Sequence, residues 1–485
     1  MKVLVVFDDT GIKSEVIADV IGDRGFADVV VKRKRLEQYY RENLEQLYPQ
    51  AEWKLVHSVF EFGGLGQWLD GMTDADTRVL HCFSSFLISQ KEQVLLAYEK
   101  LRYVDEPYRA LLGEKTAAVM FPDTDSYRHY LDAVCGGLSS AEAARQVKPS
   151  FAVYGMADIS IVENFIQCVA GNFDSRYFNS LQGDEYTLVK SSVNKKKIKS
   201  EYQYYHLLPE DMKYWHVMPF DYQEDAHTAS YRMERMHMTD LAVRWVHGSV
   251  DEAEFGQLMD KYFYFFKSRH CREVSAEKYK SIARALYVDK VLDRIAQFKQ
   301  LPEYAKIGAL MEAACEEKSV DALVGKYFCL KERVEARSPD RLISVIGHGD
   351  PCFANVLYSK STKTLKFIDP KGALTEEELW TDPYYDIAKL SHSVCGLYDF
   401  FNNALFEIRI REDFLCELEI GFDHTEYIRI FRDRLEENGY DYLKVRLYEA
   451  SLFLSMLPLH MDYPHKVFGF ILNVGRILKE IEEHV

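Results

Sequence analysis

The hydrophobic pattern of this chain changes character twice, near residue 147 and again near residue 239, and this confines it to three differently built zones. Residues 1–147 alternate short apolar runs with stretches of helical spacing. KVLVVF (2–7), WKLVHSVF (53–60), RVLHCF (78–83) and TAAVMF (116–121) read as strands, while KEQVLLAYEKLRYV (91–104) and DSYRHYLDAV (125–134) read as helices. Strand–helix alternation predicts an α/β layer on a largely parallel sheet. CGGLSSAEAARQVKPS (135–150) reads as a connector, with a short capped helix in its SSAEAARQV part. Residues 148–238 are expected to be β-rich: FIQCVAG (165–171), SRYFNSLQ (175–182) and EYTLVKSS (185–192) are spaced for a meander, followed by a basic helix (195–208) and a strand ASYRMERM (229–236). From 239 to 485 the pattern is helical, apart from a short β island at 341–369.

At 485 residues the chain exceeds what one core organises, so two or three domains are expected. A net charge of -16 argues against nucleic acid or an anionic membrane as the main partner, and suits a cationic or neutral small molecule. The nine cysteines form no CxxC, which predicts free thiols rather than a disulfide framework or zinc site. No run approaches the roughly 20 apolar residues of a membrane span, and the N-terminal apolar run is too short for a signal segment. A cytoplasmic protein with no membrane span is expected.

The chemistry is concentrated in VIGHGDPCFANVLYSKSTKTLKFIDPKG (345–372). Two short strands flank a polar turn and present Asp350, Asn355 and Asp369 at one edge. Phosphoryl transfer from a nucleotide needs a carboxylate to take the acceptor hydroxyl's proton. It also needs an amide oxygen and a second carboxylate to hold a phosphate-bridging magnesium ion. The alternative for these acids is an ordinary role in a hairpin turn.

HGD followed by PCFAN resembles the HGDxxxxN catalytic loop of the aminoglycoside phosphotransferase/choline kinase-like family. FIDPKG resembles that family's magnesium-binding motif, and WTDPYYDIAKLSHS (380–393) its following D-P-x-x-D-I-A segment. The resemblance spans roughly residues 150–485. It implies an α+β bilobal, protein-kinase-like domain, with a small β-rich lobe and a large helical lobe, behind the α/β N-terminal domain. It further implies ATP and Mg as cofactors and a small-molecule hydroxyl acceptor. Residue by residue, Asp350 is the implied catalytic base, with His348 beside it bracing the loop. Asn355 and Asp369 are implied metal ligands, and Asp386 is implied to buttress the loop. Lys190, at the end of YTLVK, stands where the family's phosphate-anchoring lysine belongs, with Glu201 as its partner; both could instead be solvated charges of a lysine-rich face. The turn AGNFDS (170–175), with Asn172, is a candidate phosphate cover, and RMERM (232–236), through the backbone near Glu234 and Met236, a candidate adenine hinge.

This sequence departs from the family pattern in following Asp369 with PKG, which leaves Lys371 beside the metal site, to contact phosphate or substrate or to face solvent. A P-loop mechanism is excluded, since there is no GxxxxGKS/T. By resemblance, the PKG continuation and the added N-terminal domain point toward bacterial kinases of sugar or cell-surface glycan metabolism. The acceptor pocket is expected in the helical region, where LYEASLFLSMLPLHMDYPHK (447–466) carries His460, Asp462 and His465. In the first zone, FDDTG (7–11) ends the first strand, at the edge where α/β domains bind ligands; Asp8, Asp9 and Thr10 are candidates for a metal or phosphate, and the preferred reading is Asp9 or Thr10 as a helix N-cap. A kinase-fold nucleotide-binding regulator with little turnover is the alternative functional reading.

Overall fold

The computed structural model describes residues 1–71, 77–170, 179–184, 186–338 and 341–485. They form two compact units, Met1–Phe173 and Asp174–Val485. The division lies 26 residues beyond the expected one at 147/148. Ser150–Ala152 returns to pair in parallel with Tyr108–Leu112, and Met156–Asp158 pairs with Phe86–Ile88, so the segment after the connector still belongs to the first unit. The connector itself contains the helix Ser140–Gln146, whose start is held by a reciprocal Ser139–Glu142 capping box.

The first unit is built on a six-stranded sheet in the order Glu52–Val56, Lys2–Asp8, Thr77–Phe83, Lys115–Phe121, Tyr108–Leu112, Ser150–Ala152. The first three strands are parallel, and Val3 to Phe7 are buried without alternation, as expected for a strand covered on both faces. The sheet is nevertheless mixed rather than largely parallel. Lys115–Phe121 runs antiparallel to both neighbours because Gly113 and Glu114 form a two-residue hairpin loop, with Gly113 at φ +59°. Within FIQCVAG, residues 165–170 are helical rather than a strand: Phe165 and Val169 are both buried at i,i+4, and the helix Val162–Phe165 runs on into Ile166–Ala170.

Asp9 and Thr10 are not the expected helix cap, since the next helix starts at Glu15 with Ser14 as its N-cap. Asp8 instead accepts from the Thr10 backbone N–H (2.9 Å) and hydroxyl (2.7 Å), and lies 3.1 Å from His81 Nε2. Asp9 accepts from Ala27 N–H (2.9 Å) and Ser84 Oγ (2.7 Å). These two acids tie the loops at the strand ends to the sheet.

The second unit opens with a four-stranded antiparallel sheet in the order Asn179–Gly183, Thr187–Ser192, Ala229–Glu234, Pro219–Glu224. The helix Lys195–Leu207 lies on it through Ile198, which packs with Ala229 and Tyr231. The strand Pro219–Glu224 was not apparent in the sequence; its leading proline suits the sheet edge it occupies. The remainder is mostly helical around one large core that includes Trp245, Phe353, Phe367 and Tyr448. Tyr442–Met456 is buried on nearly every face and serves as the central helix. The hairpin Val356–Ser359/Thr364–Phe367 forms as expected, and a second hairpin, Glu407–Ile410/Cys416–Glu419, interrupts the region read as helical. Among the described residues, no helix is long and apolar enough to cross a membrane.

Gly25 tests the knitting of the first unit, because a Cβ there would overlap the Asp9 carboxylate. Gly25→Ala is expected to destabilise this unit by about 1–3 kcal/mol. The readout is hydrogen exchange of the Lys2–Asp8 amides, and unchanged protection would show that the contact relaxes freely.

Candidate active site

The loop between the strand Ile343–Ile346 and the hairpin is held from below by one carboxylate. Asp386, in the first turn of the helix Pro383–Val394, is fully buried and accepts from the backbone N–H of His348 (2.9 Å) and of Gly349 (2.7 Å). Its charge is met by Arg269 Nη1 at 3.0 Å, also fully buried. Such a pair survives burial only when its remaining hydrogen-bonding positions are used, as those of Asp386 are. Gly349, at φ +83°, makes the left-handed turn that brings two successive N–H groups onto one carboxylate. His348 is completely buried, and its Nδ1 accepts from Asp350 N–H at 3.2 Å. Burial lowers its proton affinity despite nearby Asp386, Asp350 and Asp369, so a neutral ring braces the loop.

From this platform Asp350 projects with its side chain 37% exposed. Asn355 closes the turn, its Nδ2 donating to Asp350 O at 2.9 Å, which leaves the amide oxygen as an acceptor. Ile368 N–H donates to Asn355 O at 3.0 Å and so sets the end of the second hairpin strand beside the loop. Asp369 follows in the left-handed region, at φ +55°. An aspartate tolerates this conformation better than most residues, and such strain gathers at functional sites.

Across the second unit, Lys190 Nζ lies 2.8 Å from Glu201 Oε2 and 2.8 Å from Asp369 Oδ1. Lys190 sits on the strand Thr187–Ser192, Glu201 on the helix above it, and Asp369 at the end of the hairpin, so one ammonium links three elements. The Lys190 and Glu201 side chains are 6% and 1% exposed, against 31% for Asp369. Burial disfavours the ammonium, but Asp369, Tyr231 and Glu201 outweigh it and raise its proton affinity above the ordinary lysine value. Burial likewise opposes the Asp369 charge, and Lys190 reverses the effect, holding that carboxyl below its usual range. Two further bonds stitch the segment after Asp369. Lys371 N–H donates to His348 O (3.0 Å), and Ala373 N–H donates to Ser200 O (3.0 Å) on the helix of Glu201.

One residue at the site escaped the sequence reading. Lys389 Nζ lies 2.9 Å from Asp350 Oδ1 with its side chain only 12% exposed. Its position three residues after Asp386 puts both on the helix face toward the loop, a spacing that could have revealed it. Burial disfavours the Lys389 charge as well, yet Asp350 beside it raises its proton affinity. Asp240 and Asp399 are also buried in this unit, each pushed up to about 7 by desolvation.

The remaining candidates are more dispersed. Glu234 is exposed at the strand end opposite Thr187, and Met236 is half-buried in the loop that follows. Met233, rather than either, lines a cavity of about 30 Å³ that Glu201, Tyr231 and Asp369 share. Asn172 lies outside the described residues. His465 stacks on Phe406 at 4.9 Å, a packing role. A wider surface hollow of about 340 Å³, lined by Glu252, Asp260, Arg429 and Asp433, contains none of these groups.

Among the described residues, no cluster of three or more His, Cys, Asp or Glu side chains forms a metal site. A magnesium ion bound partly by nucleotide phosphates needs fewer protein ligands. The partly exposed Asp369 carboxylate and the Asn355 amide oxygen are the hard oxygen donors that such an ion takes, so the residues fit it.

No family model matches the chain, and no curated protein matches it. Solved structures do. A ternary complex of aminoglycoside phosphotransferase APH(4)-Ia with AMP-PNP and hygromycin B is 12% identical, covering 66% of this chain and 97% of that one at a TM-score of 0.36. A complex of the same enzyme with ADP and hygromycin B is 13% identical over 66% and 98%, also at 0.36. An ethanolamine kinase from Plasmodium vivax is 11% identical over 66% and 87%, at 0.31. These neighbours are, by name, an aminoglycoside phosphotransferase and an ethanolamine kinase. Likeness at this level carries no argument about this chain, and the chemistry has to be read from the side chains.

The Lys190–Glu201 pair can be weighed by a double-mutant cycle. Lys190→Met, which leaves the buried Glu201 only the more exposed Lys197 ammonium at 3.5 Å, should cost about 3 kcal/mol in urea unfolding followed by a probe in the second unit. Adding Glu201→Gln should restore part of that loss; strict additivity would show that the two groups are not coupled.

Proposed function

We propose that the second unit is an ATP- and magnesium-dependent phosphotransferase acting on a hydroxyl of a small polar metabolite, such as a sugar or amino alcohol. The single observation that carries this reading is the joining of Lys190, Glu201 and Asp369 by 2.8 Å contacts. Lys190 and Asp369, 179 positions apart, meet beside Glu201, so that a lysine–glutamate pair adjoins a carboxylate suited to metal, which ordinary surface charges have no reason to do.

In this reading Lys190 leaves Asp369 for the nucleotide phosphates when these arrive, while Glu201 keeps its ammonium in place. Asp369 and the Asn355 amide oxygen would hold the magnesium ion, which supplies charge neutralisation at the phosphates. Asp350 orients the acceptor hydroxyl. As the acceptor oxygen bonds to the γ-phosphorus, the bond to the β,γ-bridging oxygen breaks and ADP leaves with the electron pair. The hydroxyl proton passes to Asp350. His348 and Asp386 position this base through the loop and do not touch substrate.

A second reading, a nucleotide-binding regulator with little turnover, draws on Lys389, whose ammonium lies 2.9 Å from the proposed base. Turnover separates the two readings. ATP consumption is expected with magnesium and a suitable acceptor. Asp350→Asn should lower it by about 10²–10⁴-fold while nucleotide still binds. Near-native turnover in Asp350→Asn would remove Asp350 as the base. Asp369→Ala is expected to lose magnesium-dependent nucleotide binding as well, measured by calorimetry with and without the metal.

A further inference from the structure

Three lysines stand on the Asp350 side of the loop, in a chain whose net charge is -16. Lys389 is paired with Asp350 at 2.9 Å. One turn earlier on the same helix, the buried Tyr385 hydroxyl accepts from Lys290 Nζ at 2.7 Å. Lys371 lies over Gly349, immediately before Asp350: a Cβ on that glycine would stand 2.5 Å from Lys371 Cβ. The fields of all three reach Tyr385. Burial alone would push its phenol up, yet Lys290, Lys389 and Lys371 bring it below the ordinary value.

The carboxylates near this wall are already occupied: Asp369 meets Lys190 at 2.8 Å and Asp386 meets Arg269 at 3.0 Å. Asp350 is already engaged by Lys389. Asp399 is buried, and desolvation pushes its carboxyl up to about 7, which disfavours its charge. Among the described residues, no carboxylate lies within ion-pair distance of Lys371 or Lys290. A cationic acceptor approaching Asp350 would therefore meet ammonium groups that have no ionic partner beside the largely buried Lys389, where like charges cost most. An anion would find donors lacking an ionic partner.

We propose that the acceptor is an anionic alcohol, its carboxylate or phosphate ester lying against Lys371 and Lys290 in the field of Lys389 while its hydroxyl reaches Asp350. This rests on the phosphotransferase reading and reverses the expectation from net charge, which favoured a cationic or neutral substrate. The local excess of lysines outweighs the remote acids, which solvent and salt screen within about 10 Å.

The test is calorimetric binding of matched compounds to the full chain, with glucose, glucosamine, glucuronate and glucose 6-phosphate as probes. Either anionic probe is expected to bind at least about tenfold tighter than glucose, with glucosamine weakest. Their order tells carboxylate from phosphate. Lys371→Met, at an exposed position, should reduce that preference several-fold, and Lys290→Met should reduce it further. Equal or tighter binding of glucose or glucosamine would overturn the proposal, as would an anion preference unmoved in both variants. Because binding is read without nucleotide, it is independent of turnover. A chain that consumes ATP with cationic alcohols would sink this inference and keep the phosphotransferase, whereas one that binds no nucleotide would sink the phosphotransferase itself.

Discussion

The candidate site depends on a single ammonium shared by two carboxylates. Lys190 comes from the sheet, Glu201 from the helix packed on it and Asp369 from the hairpin of the helical region, and the two 2.8 Å contacts hold these elements in register. The two carboxylates differ in a way that suggests a division of labour. Glu201 is sealed from solvent and can satisfy its charge only through Lys190 and its neighbours, among them the Tyr231 hydroxyl at 3.2 Å. Asp369 is about a third exposed and can exchange Lys190 for another cation at modest cost.

The second constraint is Asp386. Gathering the N–H groups of His348 and Gly349 onto one buried carboxylate fixes the backbone direction from which Asp350 emerges. Arg269 makes that burial tolerable. The same helix face then delivers Lys389 to Asp350. One helix thus sets both the loop's geometry and the electrostatics of its exposed acid, the kind of support a site needs from rigid elements.

Much of this was legible in the sequence because it is local. Asp350, Asn355 and Asp369 lie within twenty residues on a hairpin whose strands alternate cleanly, and the helix of Asp386 announces itself with Asp382 as cap and Pro383 at its first position. Lys190 and Glu201 could be named as partners but not joined to Asp369, since that contact spans 179 positions. What escaped is what tertiary structure decides. Phe165 and Val169 bury one helical face within a run that also reads as a strand, and the Gly113 turn converts an expected parallel strand into a hairpin. Ser150–Ala152 carries the first unit past a connector that looked like a boundary. Lys389 was visible as a letter, but its partner lies on another element.

The most direct test of the account is a crystal structure with manganese in place of magnesium and a non-hydrolysable ATP analogue. The anomalous signal of the metal is expected between Asn355 and Asp369, with the Lys190 ammonium turned from Asp369 onto the phosphates and still held by Glu201. Manganese and nucleotide bound elsewhere on the chain, with Lys190 still bridging the two carboxylates, would contradict it.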